Sequence, residues 1–308
     1  MIQAVSLCKK FGAIQAVNDF SLQVEPGEIV ALLGPNGAGK TTCMRLFSGF
    51  LRPDSGRAFI AGFDSSEQAL RAKYNLGYLA EHAPIYKSHT VFFYLNFVAQ
   101  ARGLKKSQAE NAVDDILQRL SLDSIAFQPI ATLSKGSMRR VALAATVIHR
   151  PPALLLDEPT DGLDPIQKIQ VRKLILELSK TSAILMSTHQ IDEVIAFCPR
   201  TVIMAEGTKL LDKTTDELLV QSKYHNAVSF IANESIAARA ALEGMSGVTG
   251  FEQNMLDGRL YVFIQGNKPQ NQMVMDKLNL KNVPFSDLRL EYGRLDEVFS
   301  KAVSEVKI

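Results

Sequence analysis

Over the first 210 residues, short apolar runs alternate with segments whose apolar positions recur at helical spacing. That alternation predicts an α/β domain with buried strands. Glu28-Ile-Val-Ala-Leu-Leu33 reads as a strand that runs into a Gly-rich loop. Gly39 to Gly49 reads as a helix stopped by glycine, and Pro53-Asp-Ser-Gly56 as a turn. Ala153-Leu-Leu-Leu156 and Ala183-Ile-Leu-Met186 predict further buried strands. After Pro165 the spacing of Ile169, Leu174, Leu176 and Leu178 predicts a helix.

Between about His82 and Arg150 the pattern is nearly all helical. Val91 to Arg102 carries Phe92, Phe93, Tyr94 and Phe97, a stripe that fits either core packing or a docking surface. Ser107 to Leu120 predicts an amphipathic helix capped by Ser107. After about Ser222 the pattern restarts. Strands are predicted at Val228–Ile231, Val248–Gln253, Leu260–Ile264 and Phe285–Glu291, with helices at Glu234–Leu242, Gln270–Leu278 and Leu295–Val303. The order βαββαβ predicts a small α+β domain of the ferredoxin-like kind.

Composition narrows the function. The 308 residues carry 34 Lys and Arg against 32 Asp and Glu, a net charge of +2. That balance argues against a nucleic-acid coat and against a polybasic membrane-surface protein. A hydrophobic content of 46% is enough for a real core in two domains. Cys8, Cys43 and Cys198 form no C-x-x-C pair, which excludes a thiolate zinc site and a disulfide scaffold and fits a reducing cytosol. The first residues show no secretory signal. Apolar runs such as Ile29–Leu33 and Val141–Ile148 fall short of the ~20 residues that a spanning helix needs. No direct membrane insertion is expected, so any path across a membrane would belong to another chain.

Gly34-Pro-Asn-Gly-Ala-Gly-Lys-Thr41 matches G-x-x-x-x-G-K-[ST] between a predicted strand and a predicted helix. Glycines let backbone N–H groups turn toward phosphate oxygens, and the helix N-terminus adds partial positive charge. Lys40 supplies a full charge near the β and γ phosphates, and Thr41 a hydroxyl for Mg2+. Leu154-Leu-Leu-Asp-Glu158 is an apolar strand ending in two carboxylates. Asp157 suits Mg2+ coordination, and Glu158 suits polarisation of the attacking water. His189 closes the strand in Met186-Ser-Thr-His189, where it could hold the γ-phosphate and the water geometry.

Taken together with Leu133-Ser-Lys-Gly-Ser137 and Gly162-Leu-Asp164, the chain over roughly residues 1–215 resembles the ATP-binding subunits of ABC transporters. The resemblance implies an ABC ATPase domain at 1–220, with a helical subdomain at about 82–150, and an accessory or regulatory domain at 223–308. It implies that Phe11, in Lys10-Phe-Gly12, stacks on adenine. Gly34, Asn36, Gly37, Ala38, Gly39, Lys40, Thr41 and Thr42 would hold ATP from one side. Ser134 and Gly136 would contact ATP held by a second subunit, with Asp164 at the seam of a homodimer formed in the ATP-bound state. Glu81 stands where the family usually has glutamine, in the loop that couples nucleotide to an integral membrane permease, and could meet Mg2+ or its water.

Glu81, and Lys135 in place of glycine, resemble type-2 exporters for drugs, sodium or gliding motility. Leu295-Asp-Glu-Val-Phe299 resembles the motif that closes their C-terminal domain. The expected location is the cytoplasmic face of the cytoplasmic membrane. A non-transport ABC ATPase switch is the alternative. The stretch from Thr42 to Leu133 lacks the long coiled-coil insertion of DNA-repair members, and the chain has one phosphate loop. A glycan- or lipid-binding C-terminal β-sandwich fits poorly with βαββαβ.

Overall fold

Residues 1–265 and 270–305 are described by the computed structural model. The chain divides into two units, Met1–Lys213 and Thr214–Ile308. In order, the first unit begins with β1 (Ile2–Phe11), β2 (Ile14–Val24), β3 (Ile29–Leu33), α1 (Lys40–Phe47), β4 (Ser55–Ile60), β5 (Phe63–Asp64), α2 (Ala69–Tyr74) and β6 (Leu76–Leu79). Three longer helices follow, α3 (Val91–Ala101), α4 (Lys106–Arg119) and α5 (Lys135–Val147). Then come β7 (Ala153–Asp157), α6 (Pro165–Ser179), β8 (Ala183–Thr188), α7 (Ile191–Phe197), β9 (Arg200–Ala205) and β10 (Thr208–Thr214), which ends at the unit boundary.

Among the described residues this unit builds two sheets. The larger has the order β10-β9-β3-β8-β7-β6. Its strands from β9 to β6 run parallel. β3, β7 and β8 are buried along their whole length. That is why they read as continuous apolar runs rather than as alternation. The smaller sheet has the order β2-β1-β4-β5, with antiparallel pairing. The core between them joins Phe20 and Leu7 to Met44 and Phe47 of α1 and to Val30, Leu32 and Leu155.

α5 runs close along β6. A Cβ at Gly77 would stand 2.5 Å from the Thr146 carbonyl oxygen, so this approach requires glycine.

Two local expectations change, and one element is added. The added element is the hairpin of β1 and β2, whose half-buried residues and bulges blur the alternation in the sequence. Gly56 lies inside β4 rather than in a turn. α4 begins before Ser107, at Lys106, and the Gln108 side chain accepts a hydrogen bond from the Lys105 N–H at 3.0 Å. The aromatic stripe on α3 splits. Tyr94 is buried, while Phe93 and Phe97 stand 56% and 49% exposed, Phe97 against the exposed Tyr86 and Phe93 against His89.

The second unit runs α8 (Thr215–Val220), β11 (Val228–Ala232), α9 (Ser235–Leu242), β12 (Val248–Gln253), β13 (Arg259–Ile264), α10 (Asn271–Leu280), β14 (Phe285–Leu290) and α11 (Leu295–Ser304). From β11 to β14 the path is βαββαβ, and the antiparallel sheet has the order β12-β13-β11-β14. This is the ferredoxin-like arrangement. Its core packs Val228, Phe230, Leu260 and Val262 against Leu242, Val274 and Leu278. Residues 266–269 and 306–308 of the expected second domain lie outside the described residues.

His149, just past α5, lines a cleft of about 480 Å³ with Arg102 and Arg150. Burial first, and the Arg102 charge second, hold its pKa down to about 4. The folded chain therefore refuses a proton that the unfolded chain accepts below the ordinary value of about 6.5. Stability from the neutral ring is complete above that value and is lost as pH falls toward 4. Thermal unfolding of His149→Gln should fall less steeply than wild type between those two pH values; parallel curves would refute this.

Candidate functional site

Four neighbouring strands of the parallel sheet end at one place. β3 leads into the loop 34–39, β8 into His189, β7 ends at Asp157 beside Glu158, and β6 stops two residues before Glu81. Clefts beyond the carboxyl ends of parallel strands are where such sheets bind ligands. Here the cleft measures about 840 Å³, and Asn36, Lys40, Thr41, Glu81, Asp157 and His189 are among its lining residues.

The loop is shaped by its backbone. Gly39 has φ 101°, and a Cβ there would meet the Ala16 carbonyl oxygen at 2.3 Å. Only glycine fits that conformation and that approach. α1 starts at the next residue, so its free N–H groups face the cleft. Lys40 is 8% exposed, and its Nζ donates to the carbonyls of Gly34 at 2.7 Å and Pro35 at 3.1 Å. Burial pulls the Lys40 pKa below the usual lysine value, opposed by the carboxylates of Glu158, Asp157 and Glu81.

Asp157 is 2% exposed. Its Oδ1 accepts a hydrogen bond from the Ser187 hydroxyl. Oδ2 is buried and has no hydrogen-bond partner among the described residues. A buried carboxylate oxygen left open beside a phosphate-binding loop fits a hard cation with oxygen ligands. Thr41, in the same lining, offers the hydroxyl that would complete the pair.

Glu158 has φ 51°, a left-handed conformation that is strained for a residue with a side chain. Its Oε1 lies 2.8 Å from Nδ1 of His189. Burial raises the Glu158 pKa, and the hydrogen bond from His189 opposes that rise. A carboxylate with a raised pKa, next to an imidazole and facing a cleft, is suited to accept a proton from water.

Other expected residues sit apart from this cleft. Ser134 caps α5, its Oγ accepting from the Ser137 N–H at 3.2 Å, and neither it nor Gly136 lines the cleft. Asp164 caps α6, its Oδ1 accepting from the Gln167 N–H at 2.8 Å. Phe11 lies at the tip of the β1–β2 hairpin, outside the lining, while its cross-strand partner Ile14 is within it with Gln15 and Ala16.

Sequence reading passed over Ile14, Gln15, Ala16 and Glu206 as lining residues, and the tie of Asp161 to Lys135 at 2.8 Å. That ion pair holds the Asp161 carboxyl below its usual pKa. No motif marks Ile14, Gln15, Ala16 or Glu206, and the signature that contains Lys135 does not show that it pairs with Asp161. They meet through the fold.

A parallel sheet with this loop, strand-end acids and histidine defines a phosphate-loop nucleoside triphosphatase. The ABC transporter family matches residues 17–161, inside the first unit. The uncharacterized ABC transporter ATP-binding protein YxlF of Bacillus subtilis (strain 168) is 35% identical over 207 residues, 67% of this chain and 68% of that protein. The lipopolysaccharide export system ATP-binding protein LptB of Escherichia coli (strain K12) is 34% identical over 222 residues, 71% of this chain and 92% of that protein. A solved ATP-binding subunit of an ABC transporter has a TM-score of 0.68 and 27% identity, covering 72% of this chain and 92% of that one. The chain belongs to the ATP-binding proteins of ABC transporters and is an ATP hydrolase.

Gly39→Ala should collapse the loop. Strain of about 1–3 kcal/mol, plus the clash with Ala16, should weaken ATP binding about tenfold or more in a fluorescent-nucleotide titration. Unchanged affinity would show that the loop conformation is not needed.

Proposed function

We propose that this chain is the ATPase of a type-2 ABC exporter. ATP would bridge two copies head to tail, and hydrolysis would reopen them to drive a separate membrane subunit. The observation that carries the hydrolytic reading is the strand-end group of Asp157, Glu158 and His189 facing the phosphate loop across one cleft.

In this reading the backbone N–H groups of 36–41 cradle the phosphates and Lys40 neutralises the γ-phosphate. Phosphoryl transfer is governed by positioning and electrostatics, so these contacts are the main contribution of the protein. Thr41 and Asp157 Oδ2 would hold Mg2+, with Glu81 reaching it directly or through water. The bound ion would neutralise charge developing on the phosphates. Glu158 accepts the proton of the attacking water. His189 keeps Glu158 oriented through its Nδ1 proton and leaves Nε2 for the γ-phosphate or the water.

Ser134 and Gly136 lie outside their own cleft, which fits a role toward ATP held by a second copy. Asp164 would stand at that seam. For adenine, Phe11 remains the candidate named by motif, and Ile14 is the one favoured by its place in the lining. The exporter class rests on Glu81, Lys135 and Leu295-Asp-Glu-Val-Phe299. The exposed rings of Tyr86, Phe93 and Phe97 offer an apolar face for a cytoplasmic segment of the membrane subunit. No helix among the described residues is long and apolar enough to cross a membrane. Through that membrane subunit the protein would act at the cytoplasmic face of the membrane. The second unit would serve as an accessory or regulatory domain.

Glu158→Gln should lower kcat on the order of 10²- to 10⁴-fold, keep ATP binding, and accumulate as an ATP-bound dimer in size-exclusion chromatography. Lys40→Ala should lose ATP binding. Hydrolysis by Glu158→Gln at the wild-type rate would refute the base assignment.

Phe97→Asp should lose capture of a multi-span membrane chain from detergent-solubilised membranes while its own ATP hydrolysis stays within about twofold. If wild type captures no membrane chain, the non-transport switch becomes the better reading.

A further inference from the structure

Arg139 lies one turn into α5, the helix that follows the Leu133-Ser-Lys-Gly signature. It is 8% exposed, and its hydrogen-bond partners among the described residues are all backbone carbonyls rather than carboxylates. A buried guanidinium without an ion-pair partner is expensive unless its donors are satisfied. Its terminal N–H groups go to four backbone carbonyls. Nη1 donates to Ala80 at 2.7 Å and to Glu81 at 2.9 Å. Nη2 donates to Asp157 and, at 2.9 Å, to Glu158. Nε has no hydrogen-bond partner.

The choice of carbonyls matters. Those of Asp157 and Glu158 belong to the two peptide planes that flank the Glu158 Cα. Those of Ala80 and Glu81 flank the Glu81 Cα in the same way. One rigid planar group therefore fixes the backbone on both sides of two acidic residues that line the cleft. Glu158 needs this most, because its φ of 51° persists only where the surroundings over-determine it. The Glu158 N–H to the Ser187 carbonyl at 3.1 Å, and the Asp161 N–H to the Glu158 carbonyl at 3.1 Å, complete the restraint.

The clamp also joins distant parts of the chain. Arg139 is carried by α5, whose approach to β6 depends on Gly77. The first turn of the same helix holds Lys135, paired with Asp161 at 2.8 Å. A shift of α5 would pull all four carbonyls and that ion pair together.

We propose that Arg139 is a positioning residue for hydrolysis, holding Glu158 in its strained working conformation and tying it to the loop of Glu81 and to the signature helix. The proposal rests on the reading of Glu158 as the base. It makes attack geometry dependent on the seating of α5, so the signature face of one chain would set the alignment of its own base. Lysine cannot replace arginine here, because a compact ammonium cannot reach two carbonyl pairs at once.

A double-mutant cycle with Glu158→Gln tests this. In the wild-type background, Arg139→Lys and Arg139→Met should lower kcat about tenfold or more, with KM for Mg-ATP within about twofold. In the Glu158→Gln background the same changes should cost less than about threefold in single-turnover hydrolysis, since coupled residues are non-additive. A purely structural role would lower both backgrounds equally, and that outcome overturns the proposal. Wild-type kcat in a folded Arg139→Lys also overturns it, as does failure of both arginine variants to fold by thermal unfolding. Glu158→Gln alone reads the base assignment separately. Its retention of full activity would remove that assignment, and the proposal with it.

Discussion

Negative charge concentrated at one end of a parallel sheet is the constraint on which this structure turns. The carboxylates of Glu81, Asp157, Glu158 and Asp161 all line one cleft, the one proposed to take the phosphates of ATP. Left alone they would repel one another and their substrate. The chain answers with buried or partnered cations. Lys40 sits under the loop, and Lys135 holds Asp161. Arg139 lies behind the strand ends. Beside these cations, the imidazole of His189 meets Glu158 through a hydrogen bond. The first turn of α1 adds its free N–H groups.

This balance explains the rigidity of the surroundings. Lys40 is held at 8% exposure by two carbonyls of its own loop, so the fold itself sets where its charge lies. Preorganised charge of this kind needs little rearrangement during reaction. Asp157 keeps one oxygen open at the end of a fully buried strand, and Glu158 is strained at the next residue. A soft scaffold would hydrate the first and relax the second. The continuous apolar runs of β3, β7 and β8 provide the stiff frame that prevents both.

The second unit follows a different logic. Its ferredoxin-like sheet closes its own core of Val228, Phe230, Leu260 and Val262 without any of the charged machinery above. Arg294 lies 3.8 Å over the Tyr224 ring, and Lys223 5.0 Å from the same ring, an aromatic and cationic cluster internal to that unit.

The phosphate loop was legible in the sequence because its chemistry is local. Eight consecutive residues carry the turn, the N–H groups and the lysine, and the flanking strand and helix read from periodicity alone. Asp157, Glu158 and His189 were legible because each ends an apolar run. The βαββαβ order of the second unit was legible for the same reason. The β1–β2 hairpin was not, because bulges break its alternation. Nor was the part played by Arg139, which reaches Glu81 across 58 positions, or the place of Ile14 in the lining. The sequence by itself determined which residues could handle a nucleoside triphosphate, since those signals lie within a few bonds of one another. Only the tertiary structure decided what aligns them, since packing α5 on β6 brings together donors and carbonyls that no spacing along the chain connects.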